Sequence, residues 1–196
     1  MQILIMNKLV NPELPVIIWK KTRVLKWDDF RKKPDLKSKA SASSAIGFES
    51  KPFMEHIKAG NRFKFMIKDM QFKAVFIPDL SWVMKNVSKE NSKSLLKHEQ
   101  GHFDLAEEIT RKTRNKTTNR FHDRPLNVKG KNEVMAKKDA ILQVAEIRRR
   151  IEKQLQKEFK NQETKYDHKT NHGLITSYQE KYNKRFERLR VKRLDF

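Results

Sequence analysis

His98 and His102 stand four residues apart, with Glu99 beside the first, in the stretch LLKHEQGHFDLAE (95–107) of a chain that holds six histidines and no cysteine. On a helix, positions i and i+4 lie one turn apart on the same face, so two imidazoles can reach a single Zn2+ at about 2.0–2.1 Å. Glu99 is rotated by about 100° from His98. That puts its carboxylate beside such an ion, where it can take a proton from water and pass it to a leaving amine. Metal-assisted hydrolysis is the chemistry this spacing fits. The alternative is a buried pair of histidines satisfied by carboxylates or backbone groups. Leu95, Leu105, Ala106 and Ile109 fall on the same helical face as the histidines, which turns the imidazoles inward.

A catalytic zinc takes three protein ligands and keeps one open position. Without cysteine, the third must be a histidine or a carboxylate. Asp104, Glu107 and Glu108 are turned away from the His98/His102 face if the helix continues. Four histidines remain: His56, His122, His168 and His172. The last two fall in YDHKTNHG (166–173), a polar segment ending in glycine that reads as a loop able to fold back over another helix. His172 is favoured over His168 as the third ligand. Asp167 then orients an imidazole, or is itself the ligand. Tyr166 is placed to stabilise an oxyanion.

These residues need elements to carry them. The segments 15–30, 38–50 and 61–78 are rich in β-branched, aromatic or alternating residues, the last around a turn at Lys68–Asp69. They predict three to five strands of a small, half-exposed antiparallel sheet. Between them, PFMEHIKAG (52–60) predicts a short helix closed by Gly60. From about residue 90 the period becomes helical: 91–115, then a loop with Pro125 and Gly130, then 132–163, and after the loop at 166–173 a last helix over 174–189. The fold class is α+β, with a small N-terminal sheet followed by helices that include a zincin-like HExxH helix. The whole chain, 1–196, is taken as one metallopeptidase domain, strand-rich over 15–85 and helical over 90–190. The strand FKAVFIP (72–78), shortly before the metal helix, is a candidate edge for an extended peptide substrate.

Composition limits the rest. With 45 Lys and Arg against 24 Asp and Glu, the formal charge is +21, which alone favours an acidic partner such as nucleic acid. The basic residues are spread through almost every segment, densest at 148–150 and 184–193, as on the solvated faces of long helices. Aromatics are not interleaved with them, and no groove-reading motif is present. Nucleic-acid binding is therefore carried as a second reading, with the tail as its footprint. The absence of cysteine excludes a disulfide framework, a thiolate nucleophile and a zinc ribbon. The apolar run in MQILIMNKLVNPELP lacks a basic start and is too short for a signal-peptide core, and nothing approaches a transmembrane span.

Four stretches together, LKWDDF (25–30), SWV (81–83), LLKHEQGHFDLAE (95–107) and YDHKTNHG (166–173), resemble the bacterial DUF922 family, described as secreted zinc-dependent proteases. The resemblance runs from about residue 19 to 185 and rests on H-E-Q-G-H-F-D and D-x-x-T-x-H-G. It implies Zn2+ as cofactor and a peptide or protein as substrate. It further implies His98 and His102 as ligands, Glu99 as general base, His172 as a functional histidine (most simply the third ligand), and site roles for Asp104 and Asp167. A secreted or periplasmic location is implied as well, although no clear leader is visible. An inactive protein that keeps zinc for stability is a further alternative.

Overall fold

A computed structural model describes residues 14–191 except 39, 60 and 61, together with two short backbone strands nearer the start. The strands are β1 (Gln2–Leu4), β2 (Asn7–Lys8), β3 (Ile17–Ile18), β4 (Ala42–Ser43), β5 (Ile46–Ala59), β6 (Arg62–Phe76) and β7 (Trp82–Val83). The helices are α1 (Lys89–Phe121), α2 (Glu133–Thr170) and α3 (Thr176–Arg190), and single 3-10 turns cover Trp27–Asp29 and Pro78–Leu80. The fold is α+β. β5 and β6 form a long antiparallel pair, β1 and β2 pair with β5, β3 pairs with β6, and β4 and β7 form a separate two-stranded sheet. The N-terminal run considered for a leader supplies β1 and β2; its other residues up to 13 lie outside the described ones.

Three expectations are corrected in the sheet. The segment 52–60 is strand through Ala59, because Phe48, Ser50, Pro52 and Met54 are buried at every second position, the period of a strand. Lys68 and Asp69 do not turn the chain. They sit in a bulge, with Phe53 opposite Asp69 and Met54 opposite Ile67. The extra residue has a clear use: buried Phe65 and Ile67 stand at odd positions, whereas buried Met70, Phe72, Ala74 and Phe76 stand at even ones. One inserted residue keeps both sets on the same face. Finally, the segment 72–78 is covered on both sides over Ala74–Phe76. β5 pairs along one side of it, while Ile17 and Ile18 pair with Phe76 and Val75 on the other and the Trp19 N–H donates to the Ala74 carbonyl at 3.0 Å.

The helices pack on this sheet. Ser88 caps α1 by accepting the Asn91 N–H, and Asn132 caps α2 by accepting the Met135 N–H. α2 does not stop near 163. It runs on through Tyr166, Asp167 and Thr170, so most of the expected loop at 166–173 is helix. Its polar composition concealed an inward stripe: Ile151, Leu155, Phe159, Tyr166 and Thr170 are all buried. The helix ends on three successive left-handed residues, Asn171, His172 and Gly173, with φ of 46°, 53° and 87°. α2 returns along α1, so that Tyr166 stacks on His98 near one end and Ile151 shares a groove with Arg120 near the other. One apolar cluster joins Phe48, Phe76, Phe103, Leu105, Leu155, Phe159 and Phe186. A second joins Met54, Phe65, Phe72, Ala140 and Val144. No helix among the described residues is long and apolar enough to cross a membrane.

Candidate metal centre

His98 and His102 lie in the first half of α1, both buried, with their Nε2 atoms 3.2 Å apart. Asp167 Oδ1, from α2, stands 3.3 Å from His98 Nε2 and 3.1 Å from His102 Nε2. This oxygen is buried and makes no aligned hydrogen bond, although it is within ion-pairing distance of both rings. Proximity without alignment suits three lone-pair donors around a cation better than a hydrogen-bonded pair. Without a metal, the electrostatics are those of an ion pair between the carboxylate and the imidazoles. Burial disfavours a charged His102, yet Asp167, Glu99 and Glu163 raise its pKa above the ordinary 6.5. Burial likewise opposes a charged Asp167, but the two imidazoles hold its carboxyl well below the usual range.

The two motifs interlock physically. A Cβ on Gly101 would lie 2.0 Å from the Tyr166 hydroxyl oxygen, so the absence of a side chain in α1 is what admits the phenol from α2. The Tyr166 ring stacks on His98 with centroids 4.7 Å apart, and its hydroxyl donates to the His98 carbonyl at 3.1 Å. Gly173, at positive φ, passes so close that a Cβ would meet His98 Cβ at 3.0 Å. We expect Gly101→Ala to cost about 1–3 kcal/mol through overpacking, read as a lower urea midpoint; an unchanged midpoint would show that Tyr166 does not occupy this notch.

From α3, Gln179 completes the support of His98. Its Nε2 donates to the Tyr166 hydroxyl at 2.8 Å and to Asn183 Oδ1 at 3.0 Å, which leaves Oε1 facing His98 Nδ1 at 3.1 Å. In that tautomer Nδ1 carries the hydrogen and the Nε2 lone pair is free. Glu163 Oε1 lies 3.8 Å from His102 Nδ1, beyond hydrogen-bonding reach. Glu99 is buried beside the histidines, and the Ser44 hydroxyl, just past β4, donates to its Oε2 at 2.5 Å. Its carboxylate meets a cleft of about 520 Å³ that His172, Gly173 and Leu174 also border.

The sequence expectations divide accordingly. His98, Glu99, His102 and Asp167 come together, and Asp167 Oδ1 is the oxygen that closes the tight triangle with the two imidazole nitrogens. His172 is exposed, with a ligand atom within 4.8 Å of those of His98 and Asp167, in a looser group than the triangle. Tyr166 is fully buried and its hydroxyl is committed to His98 and Gln179, away from the cleft. That geometry corrects the expected oxyanion role and makes Tyr166 a support for His98. Asp104 faces away from the triangle, accepting from Trp19 Nε1 at 2.7 Å, Gln100 Nε2 at 3.0 Å and Arg190 Nη2 at 2.5 Å. Gln179 and Ser44 escaped the sequence reading. A polar residue on the buried stripe of Tyr182 and Phe186, four or fewer residues per step, was the signal for Gln179; Ser44 gave none.

The basic tail is partly spent on internal contacts. Arg190 also donates to the carbonyls of Lys21 and Arg23, and Arg185 pairs with Glu108 at 2.6 Å. Residues 192 and 193 of the proposed footprint lie outside the described residues. No family model matches the chain, and no similar curated protein or solved structure is found.

Proposed function

We propose that the chain is a zincin-like, zinc-dependent hydrolase acting on peptide bonds, with His98, His102 and Asp167 as the metal-binding residues. One observation carries this reading: the triangle with sides of 3.1, 3.2 and 3.3 Å and an unbonded Asp167 oxygen at one corner. Tetrahedral ligands at about 2.0–2.1 Å from zinc stand about 3.3–3.4 Å apart, so the three donors fit. The resemblance of the two motifs to the DUF922 family supports the same reading. Zn2+ held there supplies Lewis acidity toward a carbonyl and activates water.

The protein's own groups divide the remaining work. Glu99 accepts the proton of the attacking water and returns it to the leaving amine. Ser44 occupies one oxygen of that carboxylate, leaving Oε1 to carry the proton. His172, exposed at the mouth of the cleft, donates to the carbonyl oxygen as it gains charge. Gln179 and Tyr166 fix the His98 ring.

Titration of the metal-free protein with Zn2+ tests the centre directly. We expect a single tight site per chain, lost in His98→Ala; absence of uptake would sink the metal claim. Because His102 holds its proton above pH 6.5 in the metal-free protein, zinc must displace it. Apparent affinity therefore rises with pH through that raised pKa and levels off above it, with protons released on binding. Calorimetry in buffers of different ionisation enthalpy measures that release. Gln179→Met keeps the side-chain volume and removes the acceptor for His98 Nδ1; zinc affinity should fall by about 10–100-fold, as when an orienting partner is lost.

A further inference from the structure

A second groove, of about 410 Å³, lies between α1 and α2. Its α1 wall starts at Ile109, seven residues past His102, and ends at Arg120, about 27 Å further along the helix than His102 at 1.5 Å per residue. Ile109, Thr117, Ile151 and Leu155 are buried and form its floor, whereas Lys112, Lys116 and Arg120 stand exposed at every fourth position of α1. Positions four apart lie on one face about 6 Å from each other, so the three cations make a row along one rim. Arg185 joins them from α3, and Glu158 of α2 is the one acid in the described lining.

The protein does not balance this row itself. Lys112 and Arg185 share one carboxylate, that of Glu108, at 2.7 and 2.6 Å. Lys116 and Arg120 enter no ion pair among the described residues, and the Arg120 guanidinium is held over the Phe121 ring, 5.2 Å from its centroid. The floor between them is shallow because Thr113 and Thr117, one turn apart, have short side chains.

We propose that this groove docks a helix of another protein that carries Asp or Glu at i, i+4 and i+8. Such a helix repeats with the same spacing as α1, so its carboxylates meet Lys112, Lys116 and Arg120 in register. A groove between two helices accepts a third one in this way, with apolar residues of the guest laid on the floor. A nucleic-acid strand fits less well: its phosphates bring like charge against Glu158, and the described lining has no aromatic ring for a base to stack on. A helix instead sets a single Lys or Arg opposite Glu158. The inference does not depend on the hydrolase reading, because no residue of the metal centre borders the groove.

Fluorescence anisotropy of the full chain with labelled, alanine-based peptides of about 20 residues, long enough to be helical, tests this docking. One peptide carries three glutamates four positions apart with leucines beside them; its control has the same composition with the glutamates consecutive. Exposed ion pairs contribute little singly, so three in register should make the striped peptide bind about tenfold more tightly than its control. Lys116→Glu combined with Arg120→Glu should abolish that advantage. The same charge change at Lys184 and Arg188, exposed on α3 and outside the groove, should leave it within about twofold. A peptide striped with lysine should bind the Lys116→Glu/Arg120→Glu protein more tightly than the wild type, which also shows that this variant is folded. No binding, equal binding of the two glutamate peptides, equal loss from both charge reversals, or no gain with the lysine stripe would overturn the proposal. Tighter binding of a single-stranded oligonucleotide, weakened by the Lys116/Arg120 reversal, would overturn it too and give the groove to phosphates.

Discussion

Glu99→Gln is expected to lower hydrolysis of unfolded protein substrates by about 10²–10⁴-fold, the usual contribution of a positioned general base. The substitution removes the proton-accepting oxygen and keeps the size of the side chain. The contact with Ser44 survives, because an amide oxygen can still accept that hydroxyl. Zinc content should therefore match the wild type. The pair of readings is what makes the result informative: lost activity with lost zinc would point to a collapsed centre, and retained activity would remove Glu99 from the mechanism.

The second large effect separates Asp167 from His172. Asp167 Oδ1 is 3.1 and 3.3 Å from the two imidazole nitrogens, so Asp167→Ala deletes one donor of three. Its zinc affinity should fall by more than the about 10–100-fold that loss of an orienting partner costs. His172→Ala should keep zinc within about tenfold of the wild type while activity drops, since an oxyanion donor contributes about 10²–10³-fold to kcat. Metal content after dialysis against a chelator, with turnover of the reloaded proteins, decides between them. The opposite pattern, zinc lost from His172→Ala and kept by Asp167→Ala, would return His172 to the ligand role expected from sequence.

Why Asp167 ranked below His172 in the sequence has a physical explanation. His98, Glu99 and His102 are legible because a helix converts spacing i, i+1, i+4 directly into geometry. Choosing the third donor required knowing whether 166–173 was loop or helix. As a loop it could have delivered the imidazole of His172. As the last turns of α2 it fixes Asp167 between Tyr166 and Thr170, and leaves His172 beyond the helix end in a left-handed conformation. Local polarity argued for a loop, whereas burial of Tyr166 and Thr170 against α1 and α3 decided for helix.

The sheet, too, is decided by distant partners. The charged and apolar residues of 52–60 are compatible with a single helical turn, but their partners lie in β6, where every residue from Phe63 to Lys73 except the bulged Lys68 is paired with β5. Pairing across a hairpin outweighs the preference of nine residues. The break in parity between Ile67 and Met70 was visible in the sequence as a turn; only with both flanks in strand does it become a bulge. Ser44 and Gln179 illustrate a different limit, since their partners are 55 and 81 residues away and no local pattern encodes them.

The notch at Gly101 bears on the order of events during synthesis. The pair of histidines and Glu99 are complete as soon as α1 has formed, whereas the third donor, the phenol that fills the notch and the amide that fixes His98 follow 65 to 81 residues later along the chain. On the proposed reading, a nascent chain that has emerged through α1 holds two imidazoles and a carboxylate without a finished centre until α2 and α3 have followed. On that reading, splitting the centre between distant segments ties the onset of hydrolysis to the docking of α2 and α3 on α1.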